Sequence, residues 1–440
     1  MTNKYCNPTM IKAELDAYVM GQEKGTRAIA MAVAQHLLQI EAKESFLYGS
    51  EQIPTDNVLL IGPTGCGKTE TFRVLKRLGN EMGVPVLMFN TLDYSATKTW
   101  LGDSITNIFT AVVQEAGNIY YKKYGDSADA EEQKDAIVHI ANNAIIMLDE
   151  FDKIAIDGEG RSRLFLKEYQ SNLLKIVEGN TYSVGSLTHE RNASKTDEDG
   201  NSYTVTEELE LSDITVDTTG MMFILVGAFS GIEDITLYRL EKERGAKDKR
   251  SIPRHTLYQD TSIGFLVTQP AQEEPETVEY TYEQMIPSQE DIIEYGFMRE
   301  LVGRIPVRTV YKPLSEDAMI EILLHCKTSA YREYQRRFRQ VNLDLKCNRD
   351  ALREIAKIAV SRASGARGLR TVFEELLTET RYELSGTDRP IRCLLRGKEI
   401  REHKAPLLHD LTKIIQKRRQ QRIKYYKHLK HKRRMCKGKT

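Results

Sequence analysis

Short, uninterrupted apolar runs punctuate the 440-residue chain at 57–61, 86–90, 143–148 and 221–227. A strand buried on both faces reads this way, because no face is left for polar side chains. Between the runs the apolar positions change to a helical period. Ala28, Ile29, Met31, Ala32, Val33, Leu37, Leu38 and Ile40 form one stripe over 24–44, and similar spacing predicts helices over 70–78, 104–121 and 162–178. Thr9 is a candidate cap for a first helix ending near Asp16. Strands alternating with helices predict an α/β fold with a doubly wound parallel sheet. Polar residues over 181–217 predict a hairpin or a mobile loop, and 240–287 read as charged and irregular. Pro313 marks a boundary, beyond which 315–340, 349–362 and 365–384 predict a small helical domain. The organisation expected is a large domain over 1–312, a small one over 313–402 and a basic tail over 403–440.

The first run leads into Gly62, Pro63, Thr64, Gly65, Cys66, Gly67, Lys68 and Thr69, followed by Glu70 and a helical pattern. Strand, glycine-rich turn and helix in that order are the context of a phosphate-binding loop. Glycines let backbone N–H groups curl around a triphosphate, and the helix N-terminus adds partial positive charge. Lys68 is placed to reach the outer phosphates, and the Thr69 hydroxyl to ligate Mg2+. ATP and Mg2+ are thus the expected cofactors. Val19 and Met20, ahead of Gly21, offer an apolar lining for a base.

The run ending at Leu148 continues into Asp149 and Glu150. Strand ends in a parallel sheet face the phosphates, so Asp149 is a candidate Mg2+ ligand through water and Glu150 a candidate to polarise the attacking water. Trp100, the only tryptophan, lies in a polar, glycine-flanked stretch with Leu101 and Gly102. An apolar island at 262–267 containing Ile263, Gly264 and Phe265 interrupts the polar insertion, as a loop anchor or as a docking peptide. Arg304, after a helix end and Gly303, is either a solvated charge or a group aimed at a neighbouring subunit's nucleotide.

Composition narrows the class. No 18-residue apolar stretch and no signal-like N-terminus are present, which predicts a cytoplasmic protein without a membrane span. Six scattered cysteines without a C-x-x-C pair argue against a zinc site or a disulfide framework. Basic and acidic residues number 63 each, but thirteen of the basic ones follow Asp410, so the body before them carries a net charge of about −13. Such a tail touches nucleic acid, an acidic substrate, the protein's own body or only solvent.

Taken together, several separated stretches resemble the ClpX family of AAA+ protein unfoldases. They are residues 18–22, the phosphate loop, Leu148 to Lys153, Gly227 to Phe229, 303–307, and Gly365 to Arg370. The resemblance spans roughly residues 7–395. It implies a homohexamer that unfolds tagged or unfolded proteins and feeds them to a ClpP-like peptidase, without being a peptidase itself. Arg304 then resembles the arginine finger acting in trans, and Arg367 the sensor arginine of the small domain. Trp100-Leu101-Gly102 falls where the family has its pore loop, and stretches near 156–163 and 185–201 correspond to further channel-facing loops. Ile263-Gly264-Phe265 matches the peptidase-docking tripeptide. The family's four-cysteine zinc domain has no counterpart, since only Cys6 precedes the core. A stand-alone remodelling chaperone is the nearest alternative, and a nucleic-acid remodelling ATPase a more distant one.

Overall fold

The computed structural model describes residues 4–45, 55–91, 101–125, 129–156, 161–196, 202–243, 284–387 and 389–414, with isolated positions up to 421. Its chain divides into two compact units, Met1–Pro313 and Leu314–Thr440.

In the first unit, α1 (Pro8–Asp16) and α2 (Glu23–Ser45) precede β1 (Val58–Ile61), and α3 (Lys68–Met82) follows it. The cap of α1 is Asn7 rather than Thr9. Its carboxamide oxygen accepts from the Thr9 N–H at 3.0 Å, and Pro8 occupies the first turn, where a missing N–H costs nothing. Then come β2 (Val86–Asn90), α4 (Leu101–Tyr124), α5 (Ala130–Ala141), β3 (Ile145–Asp149) and α6 (Arg161–Glu178). The long strands β4 (Thr181–Thr196) and β5 (Ser202–Asp217) are followed by β6 (Met222–Gly227) and α7 (Ile232–Glu243). Short helices α8 (Gln289–Tyr295) and α9 (Arg299–Gly303) lead into β7 (Val307–Val310).

Five strands form one sheet in the order β2-β3-β6-β1-β7, every pair parallel. Alternation along each strand sorts the apolar side chains into two layers. Leu59, Ile61, Ile146, Leu148, Phe223 and Leu225 face a core closed by Phe109, Ile137, Leu173 and Leu301 of α4, α5, α6 and α9. Val58, Leu60, Ile145, Met147, Met222 and Ile224 face the other, closed by Ile11, Ile29, Val33, Val74 and Leu78 of α1, α2 and α3. Burial on both faces explains why the strand sequences show no polar alternation. With every strand parallel, all C-terminal ends lie along one edge of the sheet.

The 181–217 segment is a hairpin, paired antiparallel from Thr181–Asp217 to Thr196–Ser202 with an irregularity around Gly185. Its base packs on α4: Tyr182 stacks on Phe109 at 4.6 Å, and Leu187 lies against Gly117. The stretch 185–201, expected as a channel-facing loop, is therefore strand through Thr196. Of the companion stretch 156–163, residues 157–160 lie outside the described residues and Arg161 already opens α6.

The second unit contains α10 (Glu316–His325), α11 (Ala330–Gln340), β8 (Leu343–Cys347), α12 (Arg349–Ser361), α13 (Gly365–Glu383), β9 (Ile391–Leu395), α14 (Gly397–Arg401) and β10 (Leu407–Asp410). Its helices pack Leu323, Phe338, Leu352, Ile355, Phe373 and Leu377 into one core against a three-stranded sheet ordered β10-β9-β8. The tail expected from residue 403 is corrected here, because Leu407–Asp410 pairs with the edge of β9 and belongs to this sheet.

Candidate functional site

The phosphate loop leaves the C-terminal end of β1 between two strands. On one side Gly62 N–H donates to Gly227 O at 3.2 Å. On the other, a Cβ built on Gly62 would lie 2.7 Å from Tyr311 O, so only glycine lets the loop pass there. Gly67 closes the turn at φ +114°, and a Cβ on it would press to 3.0 Å from Val19 Cγ1. Gly67 is also the N-cap of α3 and, having no side chain, makes no side-chain cap hydrogen bond, so the helix start is left to backbone geometry. An anion-binding cradle is the chemical result. Lys68 Nζ donates to Gly62 O, and to Pro63 O at 2.7 Å, which anchors the cation along the loop. Val19 is buried and Met20 half-buried beside this turn.

Two residues that sequence reasoning missed support the loop from beneath. Gln22, buried, donates to Lys312 O at 2.8 Å and Cys66 O at 3.3 Å while accepting from Lys312 N at 2.9 Å. Tyr311, fully buried, donates its N–H to Ile61 O at 2.7 Å, lays its ring on Gly25, and pairs its hydroxyl with Thr71 Oγ1 at 2.8 Å. Burial pushes the Tyr311 hydroxyl well above its ordinary range, so it stays a neutral hydrogen-bonding group. Gln22 falls within the 18–22 stretch that carries the resemblance, without a role of its own there, and the signal for Tyr311 was its closeness to the extended segment after Arg304.

Asp149 and Glu150 stand on the same edge, at the end of β3, with β6 between them and β1. Glu150 adopts φ +57°, and its N–H donates to Asp149 Oδ1 at 2.9 Å. A left-handed non-glycine residue is an uncommon, costly turn, and here it carries the candidate base. Thr91 Oγ1 donates to Asp149 O at 2.7 Å, tying β2 to the same turn. Asp152, buried, accepts from Ala228 N at 3.2 Å, so the end of β6 is held by a carboxylate from the turn after β3. Phosphate loop and carboxylates thus share one edge, as the sequence predicted.

Arg304 lies elsewhere. Asn57 Nδ2 donates to Arg304 O at 3.0 Å while Asn57 Oδ1 accepts from Phe223 N at 2.9 Å, and Val307 N donates to Asn57 O at 3.2 Å. These contacts sit where β1 and β7 begin, the opposite edge of the sheet. The strand between the two edges spans roughly 13 Å. Arg304 Nε and Nη2 both donate to Glu178 Oε1, at 3.0 and 2.8 Å, with the guanidinium exposed. Arg367 is exposed in the first turn of α13 in the second unit. Trp100 and Ile263-Gly264-Phe265 lie outside the described residues, and Leu101 and Gly102 are described only as the backbone opening α4.

Sheet order, phosphate loop and strand-end carboxylates together define a P-loop ATPase. The AAA domain family (Cdc48 subfamily) matches residues 53–308, and the C-terminal, D2-small domain of ClpB protein matches residues 314–384. The chain is 30% identical over 389 residues to the ATP-dependent Clp protease ATP-binding subunit ClpX of Borrelia duttonii, covering 86% of this chain and 74% of that one. It is 29% identical over 379 residues to its namesake in Treponema denticola, covering 86% and 77%. It is also 29% identical over 417 residues to ClpX 3 of Methylococcus capsulatus, covering 91% and 81%. The chain belongs to the ClpX family of AAA+ unfoldases and is an ATPase. No helix among the described residues is long and apolar enough to cross a membrane.

Proposed function

We propose that the chain works as a hexameric ring that uses ATP hydrolysis to pull polypeptides through its centre and deliver them to a ClpP-like peptidase. The observation that carries the ring is the position of Arg304. It sits at the opposite sheet edge from its own phosphate loop, and a guanidinium there serves phosphoryl transfer only in a neighbour's site. The residues present fit a Mg2+ nucleotide: a cradle that glycine alone permits, an uncapped helix start, and oxygen donors on both sides. In the site, Val19 and Met20 border the base, while the N–H groups of Gly62 to Glu70 with Lys68 hold the phosphates. Thr69 and Asp149 would hold Mg2+, which when bound would supply neutralisation of phosphate charge. Glu150 orients and polarises the attacking water, the neighbour's Arg304 stabilises the charge that develops, and Arg367 lets the small unit respond to nucleotide state.

The output assigned to this cycle is movement of Trp100-Leu101-Gly102, whose ring would grip polypeptide of any sequence. Ile263-Gly264-Phe265 would dock the peptidase, six weak contacts acting by avidity. Relatives named as ATP-binding subunits of the Clp protease support this output. The discriminating experiment measures ATP hydrolysis with unfolded protein or with DNA, each with and without a ClpP-type barrel. Stimulation by unfolded protein and altered turnover with the barrel are expected. Stimulation by DNA alone would replace this reading with nucleic-acid remodelling, and indifference to the barrel would favour a stand-alone chaperone.

A further inference from the structure

Arg304 is held more firmly than a surface arginine needs to be. Its carbonyl is fixed by the buried Asn57 carboxamide, and its side chain by Glu178 at the C-terminal end of α6. That helix end is itself anchored. Thr218 Oγ1 donates to Ile176 O at 2.8 Å and accepts from Asn180 N at 2.9 Å. Gly179 passes at φ +102° so close to Thr219 that a Cβ would lie 2.5 Å from its hydroxyl. Two turns earlier on α6, fully buried Gln170 accepts from Met298 N at 2.8 Å, just ahead of α9. Its Nε2 donates to Ile154 O at 2.7 Å and to Gly296 O at 3.1 Å. The same helix therefore fixes the entry to α9, the exit from α9 at Arg304, and the turn that follows Glu150.

We propose that Glu178 is a positioning residue for Arg304: it sets the plane of the guanidinium that completes the neighbouring subunit's ATP site. A single oxygen accepts from both Nε and Nη2, which fixes the plane and directs the remaining Nη1 edge away from α6. Such a fork removes the rotamer freedom that the arginine would otherwise lose when it meets a phosphoryl group. The bland alternative is an ordinary exposed ion pair, which contributes little to stability. The two readings separate because the first concerns a different subunit's chemistry and the second concerns none.

This inference rests on the trans-acting role given to Arg304, and the test keeps the two apart. Glu178→Ala and Glu178→Gln are expected to lower kcat for ATP about tenfold with KM little changed, with Glu178→Asp recovering part of the loss. Thermal unfolding midpoints should stay close to the parent's. Each variant is then mixed in equal amounts with Glu150→Gln subunits, which carry an intact Arg304–Glu178 pair but do not hydrolyse. If Glu178 acts through the finger, its variants own sound active sites that lack only a well-aimed neighbour, so mixing raises turnover per competent subunit several-fold. Arg304→Ala serves as the control and should be rescued in the same way. Rescue of Arg304→Ala without rescue of Glu178→Ala would overturn the positioning role alone. Failure to rescue either would overturn it together with the trans reading, and a parent-like rate for Glu178→Ala would reduce the pair to a surface contact.

Discussion

Both edges of the central sheet are clamped by side chains that bridge distant segments, but only the C-terminal edge adds a backbone cradle to its clamps. There, beside the bridges made by Thr91, Asp152 and Gln22, glycines at 62 and 67 admit close passage, Glu150 and Phe229 take left-handed conformations, and the Gly62 N–H meets Gly227 O. Along the N-terminal edge the work is done by side chains, with Asn57, Thr218 and Glu178 each bridging segments distant in sequence. The difference follows from what each edge must do. A phosphate cradle needs many donors in a small volume, and only backbone amides pack that densely. On the role proposed for Arg304, aiming one guanidinium at a neighbour would need rigidity at a single point, which one carboxamide and one carboxylate provide.

This contrast predicts different failures. On the C-terminal edge Glu150→Gln should lower kcat about 10³-fold while nucleotide affinity and thermal stability persist, because one oxygen is exchanged for a group that no longer polarises water. Single-turnover hydrolysis alongside binding of a fluorescent ATP analogue checks both halves. If the variant hydrolysed at the parental rate, the candidate base would have to be sought elsewhere along the edge.

On the N-terminal edge Asn57→Ala should act through stability. It strands the buried Phe223 N–H and releases Arg304 O, a loss of about 2 kcal/mol that denaturant unfolding would read as a lower midpoint at unchanged slope. On the trans role proposed for Arg304, hydrolysis should fall as well, by less than for Glu150→Gln, since Arg304 loses one of its two fixings. An unchanged midpoint would mean that the side-chain clamps are dispensable and that the contrast between the edges is superficial.

The same contrast governs what could be read from the sequence. Parallel strands buried on both faces announce themselves as apolar runs, and a cradle built from local backbone must keep its glycines, lysine and threonine at fixed spacing, so the loop and Asp149–Glu150 were legible. Gln22, Asn57, Gln170 and Tyr311 were not, because each is an isolated residue whose partner is set by tertiary folding; Gln22 and Lys312 are 290 positions apart. Helix α5 gives little periodic signal because Ala130–Ala141 is short and half polar, its buried residues reduced to Gln133, Ile137 and Ala141. The hairpin was ambiguous for a related reason: its polar strands are stabilised by each other's backbone, which leaves little periodic signal. Strand β10 was hidden by the basic residues beyond it, although Leu407 and Leu408 supply its apolar start.

Strand β7 joins the two edges, running from the segment after Arg304 to Tyr311 beneath the phosphate loop, and the mildest prediction falls there. Tyr311→Phe keeps the ring on Gly25 and removes only the hydroxyl paired with Thr71. Thr71 Oγ1 retains Gly67 O at 3.2 Å, so no buried donor is stranded and the cost should be about 1 kcal/mol. The pH dependence has a definite sign. Burial raises the folded-state pKa above the ordinary value of 10.0, so this hydroxyl's contribution is fully present below pH 10 and is lost as the pH climbs beyond it. Phenylalanine should remove that alkaline loss while leaving the neutral-pH rate within twofold. A kcat reduced tenfold at an unchanged unfolding midpoint would mean instead that β7 transmits between the edges, and that the finger's mount and the phosphate cradle answer to one another within a single chain.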